Sequence, residues 1–157
     1  FYAEQMLKTL GREMTGEGSF RRGVEVVTMF LEKQGFKPEQ YRLSDGSGLS
    51  RENKLSAHFL TDLLVMMAHP PVADLYRESL AEAGVDGSMR SRLRDANSSA
   101  KVFAKTGSLA TVRAISGYVQ SESGELLAYS FLMNGPGAGA WRARSVQDEA
   151  LKLLAAQ

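Results

Sequence analysis

Lys101-Val-Phe-Ala-Lys105-Thr106-Gly107-Ser108-Leu109 opens the part of the chain where the apolar period changes from helical spacing to a period of two. Two strand-like runs follow, Val112 to Gln120 and Leu126 to Met133, flanking Glu122-Ser123-Gly124-Glu125, which reads as a hairpin turn. Lys101 to Gly107 then takes its place as a neighbouring antiparallel strand. In the last run both alternating sets are apolar, Leu127, Tyr129, Phe131 and Met133 against Leu126, Ala128 and Leu132. Such a sheet is expected to be covered on both faces. A final stripe, Val146, Ala150, Leu153 and Leu154, predicts a C-terminal helix able to cover one of them.

Upstream of residue 100 the spacing is helical. Ala3, Met6, Leu7, Leu10 and Met14 form one stripe, and Val24, Val27, Phe30 and Leu31 a second that ends at Gly35. Leu60, Leu63, Leu64 and Met67 form a third, stopped by Pro70-Pro71. Val72, Leu75, Tyr76, Leu80 and Ala83 form a fourth, closed by Gly84. Four amphipathic helices therefore precede the strands, and the methionines on them read as core filling. The fold class is α+β, an antiparallel sheet flanked by helices.

Composition bounds the chemistry. The 157 residues suffice for a real core, and 43% hydrophobic with 24% charged residues is ordinary for a globular protein. A net charge of +1 gives no general reason to bind nucleic acid or an anionic membrane. Arg90, Arg92 and Arg94 alternate with small or apolar residues and read as a solvated surface. Cysteine is absent, so there are no disulfides and no thiolate chemistry. No apolar run approaches the length of a transmembrane helix. His58 and His69, eleven apart with no acidic partner at helical pitch, do not form a metal site, and nothing calls for a cofactor.

Lys105-Thr106-Gly107 carries the chemistry. A cation, a hydroxyl and a residue without Cβ, consecutive on one strand, line the edge of a cleft and grip an anion. Lys supplies charge, Thr a hydrogen bond, and Gly lets a substrate backbone come close. Upstream lies Tyr41-Arg-Leu-Ser-Asp45-Gly46-Ser47-Gly48-Leu49-Ser50-Arg51, followed by Ala83-Gly84-Val85-Asp86-Gly87-Ser88 and Ala104-Lys105-Thr106-Gly107-Ser108-Leu109. In order and spacing these strings closely resemble the C-terminal part of the PBP4-type penicillin-binding proteins, the D-alanyl-D-alanine carboxypeptidase/endopeptidase family called peptidase S13. The resemblance covers nearly the whole chain.

That family is built on three motifs: Ser-x-x-Lys with the nucleophile, Ser-x-Asn, and Lys-Thr-Gly. Ser-x-Asn occurs nowhere here, and Phe1-Tyr-Ala-Glu-Gln-Met-Leu resembles the segment directly after that motif in relatives. Residues 1–157 thus read as the C-terminal portion of one penicillin-binding domain, 1–100 mainly helical and 101–157 strands plus a helix. Its expected partner is the N-terminal part of the same polypeptide. Ser98-Ser99-Ala100-Lys101 matches Ser-x-x-Lys by letter only. The chemistry needs Ser at a helix start with Lys one turn on, whereas Ser98 lies in the polar run Asp95-Ala-Asn-Ser-Ser leading into the Lys105 strand.

The resemblance implies roles. Lys105 raises the positive potential around the nucleophile. Thr106 hydrogen-bonds the terminal carboxylate of a D-Ala-D-Ala stem peptide or of a penicillin, and Gly107 leaves room for it. The Ser108 backbone N–H is one oxyanion-hole donor, and losing one such donor costs about 3 kcal/mol of transition-state stabilisation. The partners are then peptidoglycan stem peptides and β-lactams, and the location periplasmic or otherwise extracytoplasmic. Asp45, Gly46, Ser47 and Gly48 read as a cleft-shaping turn: its glycines suit positive φ, and Asp45, Ser47 and Ser50 bond local backbone. Asp-Gly-Ser-Gly lacks the third Gly and the Lys-Ser/Thr pair of nucleotide loops, and Gly135-Pro-Gly-Ala-Gly reads as a connector. Two other classes are compatible with the residues. One is a noncatalytic peptidoglycan-peptide-binding module that keeps the Lys-Thr-Gly strand. The other is a helix-rich interaction domain with accidental motif matches.

Overall fold

In the computed structural model, which describes residues 1–94, 100–135 and 139–157, the chain divides into two units, Phe1–Phe59 and Leu60–Gln157. The first is led by α1 (Tyr2–Thr15) and α2 (Phe20–Lys33). These helices meet through glycine. A Cβ on Gly23 would stand 2.2 Å from the Leu7 carbonyl oxygen, and one on Gly11 2.8 Å from the Gly23 nitrogen. Close backbone approach of this kind admits no side chain. The buried line is therefore Leu7 and Gly11 against Gly23 and Leu31. This corrects the apolar stripes read from sequence, because Met6, Leu10, Met14 and Phe30 are exposed. Hydrophobicity finds the apolar side of a helix, but small residues decide which line of it touches a neighbour.

Two short strands absent from the sequence reading, β1 (Tyr41–Arg42) and β2 (Lys54–Leu55), pair antiparallel and close the loop between them. Tyr41 lies against Phe59 with ring centroids 4.9 Å apart, and Phe36 meets Phe59 edge-on at 5.2 Å. Phe59 belongs to α3 (Ala57–Met67), which carries the chain into the second unit.

There, α4 (Ala73–Glu78) is followed by β3 (Ala81–Glu82), β4 (Lys101–Ser108), β5 (Val112–Gln120), β6 (Leu126–Asn134) and α5 (Ala140–Ala155). The sheet order is β3-β4-β5-β6, every pair antiparallel. The fourth expected helix is shortened: it ends at Glu78, and Ala81–Glu82 pairs with Phe103 and Ala104 instead. The hairpin falls where the turn residues place it. Gln120 pairs with Leu126, Gly124 takes φ 88, and the Ser121 N–H donates to the Glu125 carbonyl.

Cross-strand partners share a face. Val102, Ala104, Ile115, Val119 and Tyr129 pack with Leu151 and Ala155 of α5 and with Met89. Each fully buried aliphatic side chain there contributes about 1.5–3 kcal/mol. The stripe expected for α5 is corrected by one position, since Gln147, Leu151 and Ala155 are buried while Val146 and Leu153 face out. Tyr118 alternates to the opposite face, where its hydroxyl donates to the Leu64 carbonyl at 2.6 Å and its ring meets Tyr76 edge-on. Burial pushes that phenol up to about 12. Helix, sheet and helix are thus layered as expected for an α+β domain.

Candidate functional site

β5 flanks all of β4 on one side, whereas on the other side β3 pairs only with Phe103 and Ala104. Backbone N–H and C=O groups point to alternate sides along a strand. The Val102 carbonyl accepts from the Ala83 N–H on the β3 side. Counting in twos, the N–H and C=O of Thr106 and Ser108 also point to that side, beyond the end of β3. Lys105, Gly107 and Ser108 are exposed and Thr106 partly so. The Lys105 Nζ donates to the Thr106 carbonyl at 2.7 Å, which holds the ammonium at the open edge. The Thr106 hydroxyl is 2.8 Å from the Ser88 hydroxyl. One stretch of strand thus offers an ammonium, a hydroxyl pair and a backbone donor that β3 does not reach.

The two faces divide the groups. Lys105 pairs with Ser116 and Ser116 with Ser130, their hydroxyls 2.9 Å apart. Thr106 and Ser108 lie on the α5 face, in a pocket lined also by Ser88, Arg113, Arg144 and Gln147. Ser108 pairs directly with Arg113. The Arg113 Nη1 donates to the carbonyls of Leu109 and Val112, clamping the turn that ends the strand. Ser88 and Arg113 had no role in the sequence reading. The signal for Arg113 was its register: once the turn at 109–112 is set, it falls opposite Ser108.

Arg92 corrects the solvated surface expected for Arg90, Arg92 and Arg94. Its side chain is only 11% exposed, is 2.7 Å from Asp148, and donates to Gln147 Oε1 at 3.2 Å. Arg90 and Arg94 are exposed. Nearby, burial pushes the Tyr129 phenol up. Asp95 to Ser99, with the Ser98 string, lie outside the described residues, as do 136–138 of the expected connector.

Asp45 to Gly48 lie in the first unit, in the loop between β1 and β2. Asp45 accepts from the backbone N–H of Gly48 at 2.8 Å and of Ser50 at 2.7 Å, from Ser47 Oγ at 3.2 Å and from Asn53 Nδ2 at 2.6 Å. Glu4 of α1 accepts from the N–H of Gly46 and Ser47. The carboxylate lone pairs of Asp45 are spent on its own loop. Gly48 has the expected positive φ of 75, but Gly46 does not. Gly46 is needed for contact instead, since a Cβ there would lie 2.5 Å from the Ala3 carbonyl oxygen.

Partial burial raises the Asp45 pKa, but the bonds from Asn53, Ser50, Gly48 and Ser47 together outweigh it and hold the carboxyl below its ordinary value. A carboxyl depressed in the folded state stabilises the fold above its unfolded pKa and loses that contribution as pH falls through the folded one. We expect the loop to be tight at neutral pH and to loosen as pH drops below about 4. D45N should remove most of this acid dependence, read as amide exchange of Gly48 and Ser50 against pH.

The layered architecture is that of the penicillin-binding fold. The chain superposes on penicillin-binding protein 4 (dacB) of Haemophilus influenzae, solved in complex with a β-lactam, with a TM-score of 0.80 and 26% identity, covering 97% of this chain and 36% of that one. It belongs to the D-Ala-D-Ala carboxypeptidase 3 (S13) family, which it matches over residues 1–157. It is 37% identical over 139 residues to a D-alanyl-D-alanine carboxypeptidase of Actinomadura sp. (strain R39), covering 85% of this chain and 26% of that protein. It is 34% identical over 123 residues to the D-alanyl-D-alanine carboxypeptidase DacB of Haemophilus influenzae, covering 77% and 26%. The chain therefore spans about a quarter of the length of these relatives.

Proposed function

We propose that this chain forms the Lys-Thr-Gly wall of a serine-type D-Ala-D-Ala carboxypeptidase/endopeptidase that acts outside the cytoplasm on peptidoglycan stem peptides and is acylated by penicillins. The nucleophile belongs to another part of the same polypeptide, and residues 1–157 are one portion of its penicillin-binding domain. The observation that carries this reading is the open edge of β4, which presents the Lys105 ammonium, the Thr106 hydroxyl and the Ser108 N–H within four consecutive residues.

In the reaction, a serine hydroxyl attacks the carbonyl of the terminal D-Ala-D-Ala bond and gives up its proton to a neighbouring lysine. The carbonyl oxygen becomes an oxyanion facing the Ser108 N–H. Thr106 meets the terminal carboxylate. Its hydroxyl, which donates to Ser88 Oγ at 2.8 Å in the free site, has one proton and turns from Ser88 to donate it to the carboxylate. Gly107 keeps the edge free of side-chain bulk, and Lys105 supplies the positive potential. Breaking the peptide bond releases D-Ala, which takes the proton, and water then hydrolyses the acyl-enzyme. A penicillin follows the first half of this path and stalls, because its acyl-enzyme hydrolyses slowly. Asp45 to Gly48 act as a structural turn and take no part in these steps.

The test is D-alanine release from a stem pentapeptide, and cleavage of its crosslinked dimer, by the full polypeptide. Release of D-alanine supports the carboxypeptidase and cleavage of the dimer the endopeptidase. Neither, together with retained peptide binding, returns the chain to the binding-module reading.

A further inference from the structure

The turn over residues 86–92, beside Thr106, is pinned at two points that follow Ser88. Met89 is fully buried and packs with Leu151 and Ala155 of α5 in the core. The Met89 N–H donates to the Asp86 carbonyl, and the Arg92 N–H to the Met89 carbonyl. At the far end the Arg92 side chain reaches α5. Its Nε and Nη2 donate to Asp148 Oδ1 at 2.9 and 2.7 Å, and Nη2 also donates to Gln147 Oε1 at 3.2 Å. Leu93 then takes φ 55, a left-handed conformation that a residue with a bulky side chain keeps only where its surroundings impose it. Leu93 packs against the core while Arg92 is tied to α5, and the two contacts together impose it.

This polar cluster stands where packing alone asks for hydrocarbon. Gln147, Leu151 and Ala155 recur every four residues on the buried face of α5, and Gln147 is only 1% exposed. Taking a guanidinium, a carboxylate and an amide out of water is costly, so apolar side chains of similar volume would hold the fold as well or better. What the cluster adds is direction. Apolar contacts tolerate sliding, whereas a planar fork that must meet two acceptors on one helix has a single register. The segment held in that register carries the exposed Ser88, whose Oγ accepts from the Thr106 hydroxyl at 2.8 Å.

We propose that Arg92 is a positioning residue for the acyl-transfer site: clasped by Asp148 and Gln147, it fixes the turn that holds Ser88 against Thr106, and so sets the Thr106 hydroxyl before substrate arrives. The role in acyl transfer rests on the peptidase reading above; the fixing of the turn does not. Arg92 acts through Ser88 and not on the substrate.

The experiment compares penicillin acylation rates, melting temperatures and amide exchange for the full polypeptide and its S88A, R92M/Q147L/D148L and combined variants. The triple variant removes the whole cluster and strands no charge, so it should melt at or above the wild-type temperature. We expect it to acylate at least about tenfold more slowly, since a misplacement of about 1 Å near reacting groups costs up to about 10²-fold. The amides of residues 89 and 92 should exchange at least about tenfold faster in it. S88A should slow acylation by a similar factor, and adding it to the triple variant should slow the reaction no further. R92K keeps a charge for Asp148 but not the fork that also meets Gln147, so it should lose at least about threefold, and it serves if the triple variant does not fold. Losses from S88A and from the cluster that multiply would overturn the proposal, as would a folded triple variant that acylates as wild type does. An unfolded triple variant beside an R92K that acylates normally would make the cluster structural only, and the proposal falls. A wild type that penicillin does not acylate sinks the peptidase reading alone, and exchange at 89 and 92 then decides whether Arg92 fixes the turn.

Discussion

K105A in the full polypeptide should slow covalent acylation by penicillin about 10²–10³-fold, the loss expected when one preorganised electrostatic group is removed from an active site. The size of the effect follows from where the charge sits. The Nζ is held over the Thr106 carbonyl at 2.7 Å, on the same strand edge as the Ser108 N–H. Stability should barely change, because Lys105 is exposed and a surface truncation stays within about 0.5 kcal/mol. Stopped-flow acylation and thermal melting on one preparation separate the two. Unchanged acylation would remove Lys105 from the chemistry, and a large drop in melting temperature would make its effect structural.

The second large effect is expected from a residue with no chemistry. Gly117 lies at the centre of β5 opposite Ala104, and a Cβ there would stand 1.9 Å from the Phe103 carbonyl oxygen and 2.9 Å from its carbon. Both atoms are backbone, so relief requires moving β4 away from β5. That is the pairing which holds Lys105 to Ser108 in place. G117V should destabilise the fold by about 3–5 kcal/mol, above the usual range for overpacking because the backbone itself must move. In contrast, G135A meets nothing within 4 Å and should melt as wild type does. Similar melting of the two variants would mean that β4 and β5 are not packed as described.

The strands that carry the candidate site were legible because their signals are local. A period of two and a glycine at the hairpin are written within a few residues, and Gln120 opposite Leu126 follows from the turn alone. The features that escaped depended on distant partners. Ala81–Glu82 continues a helical pattern and becomes a strand only because Phe103 and Ala104 offer it an edge. Arg92 looked solvated because its carboxylate, Asp148, is 56 residues away. The contact line of α1 with α2 runs through Gly11 and Gly23, which a hydrophobic count passes over. At the site itself, sequence pointed to the Lys105 to Ser108 edge but not to Arg113 or Ser88, which meet it only after β4 pairs with β5 and the 87–89 turn packs beside them.

The most direct measurement is the position of the penicillin adduct, found by intact mass and peptide mapping of the full polypeptide after brief exposure. One adduct per chain is expected, on the serine of a Ser-x-x-Lys segment outside residues 1–157, and at strongly reduced yield in K105A. An adduct on Ser98, or no adduct on a folded protein that still binds the peptide, would contradict the assignment of this chain as the Lys-Thr-Gly wall of a serine acyl-enzyme.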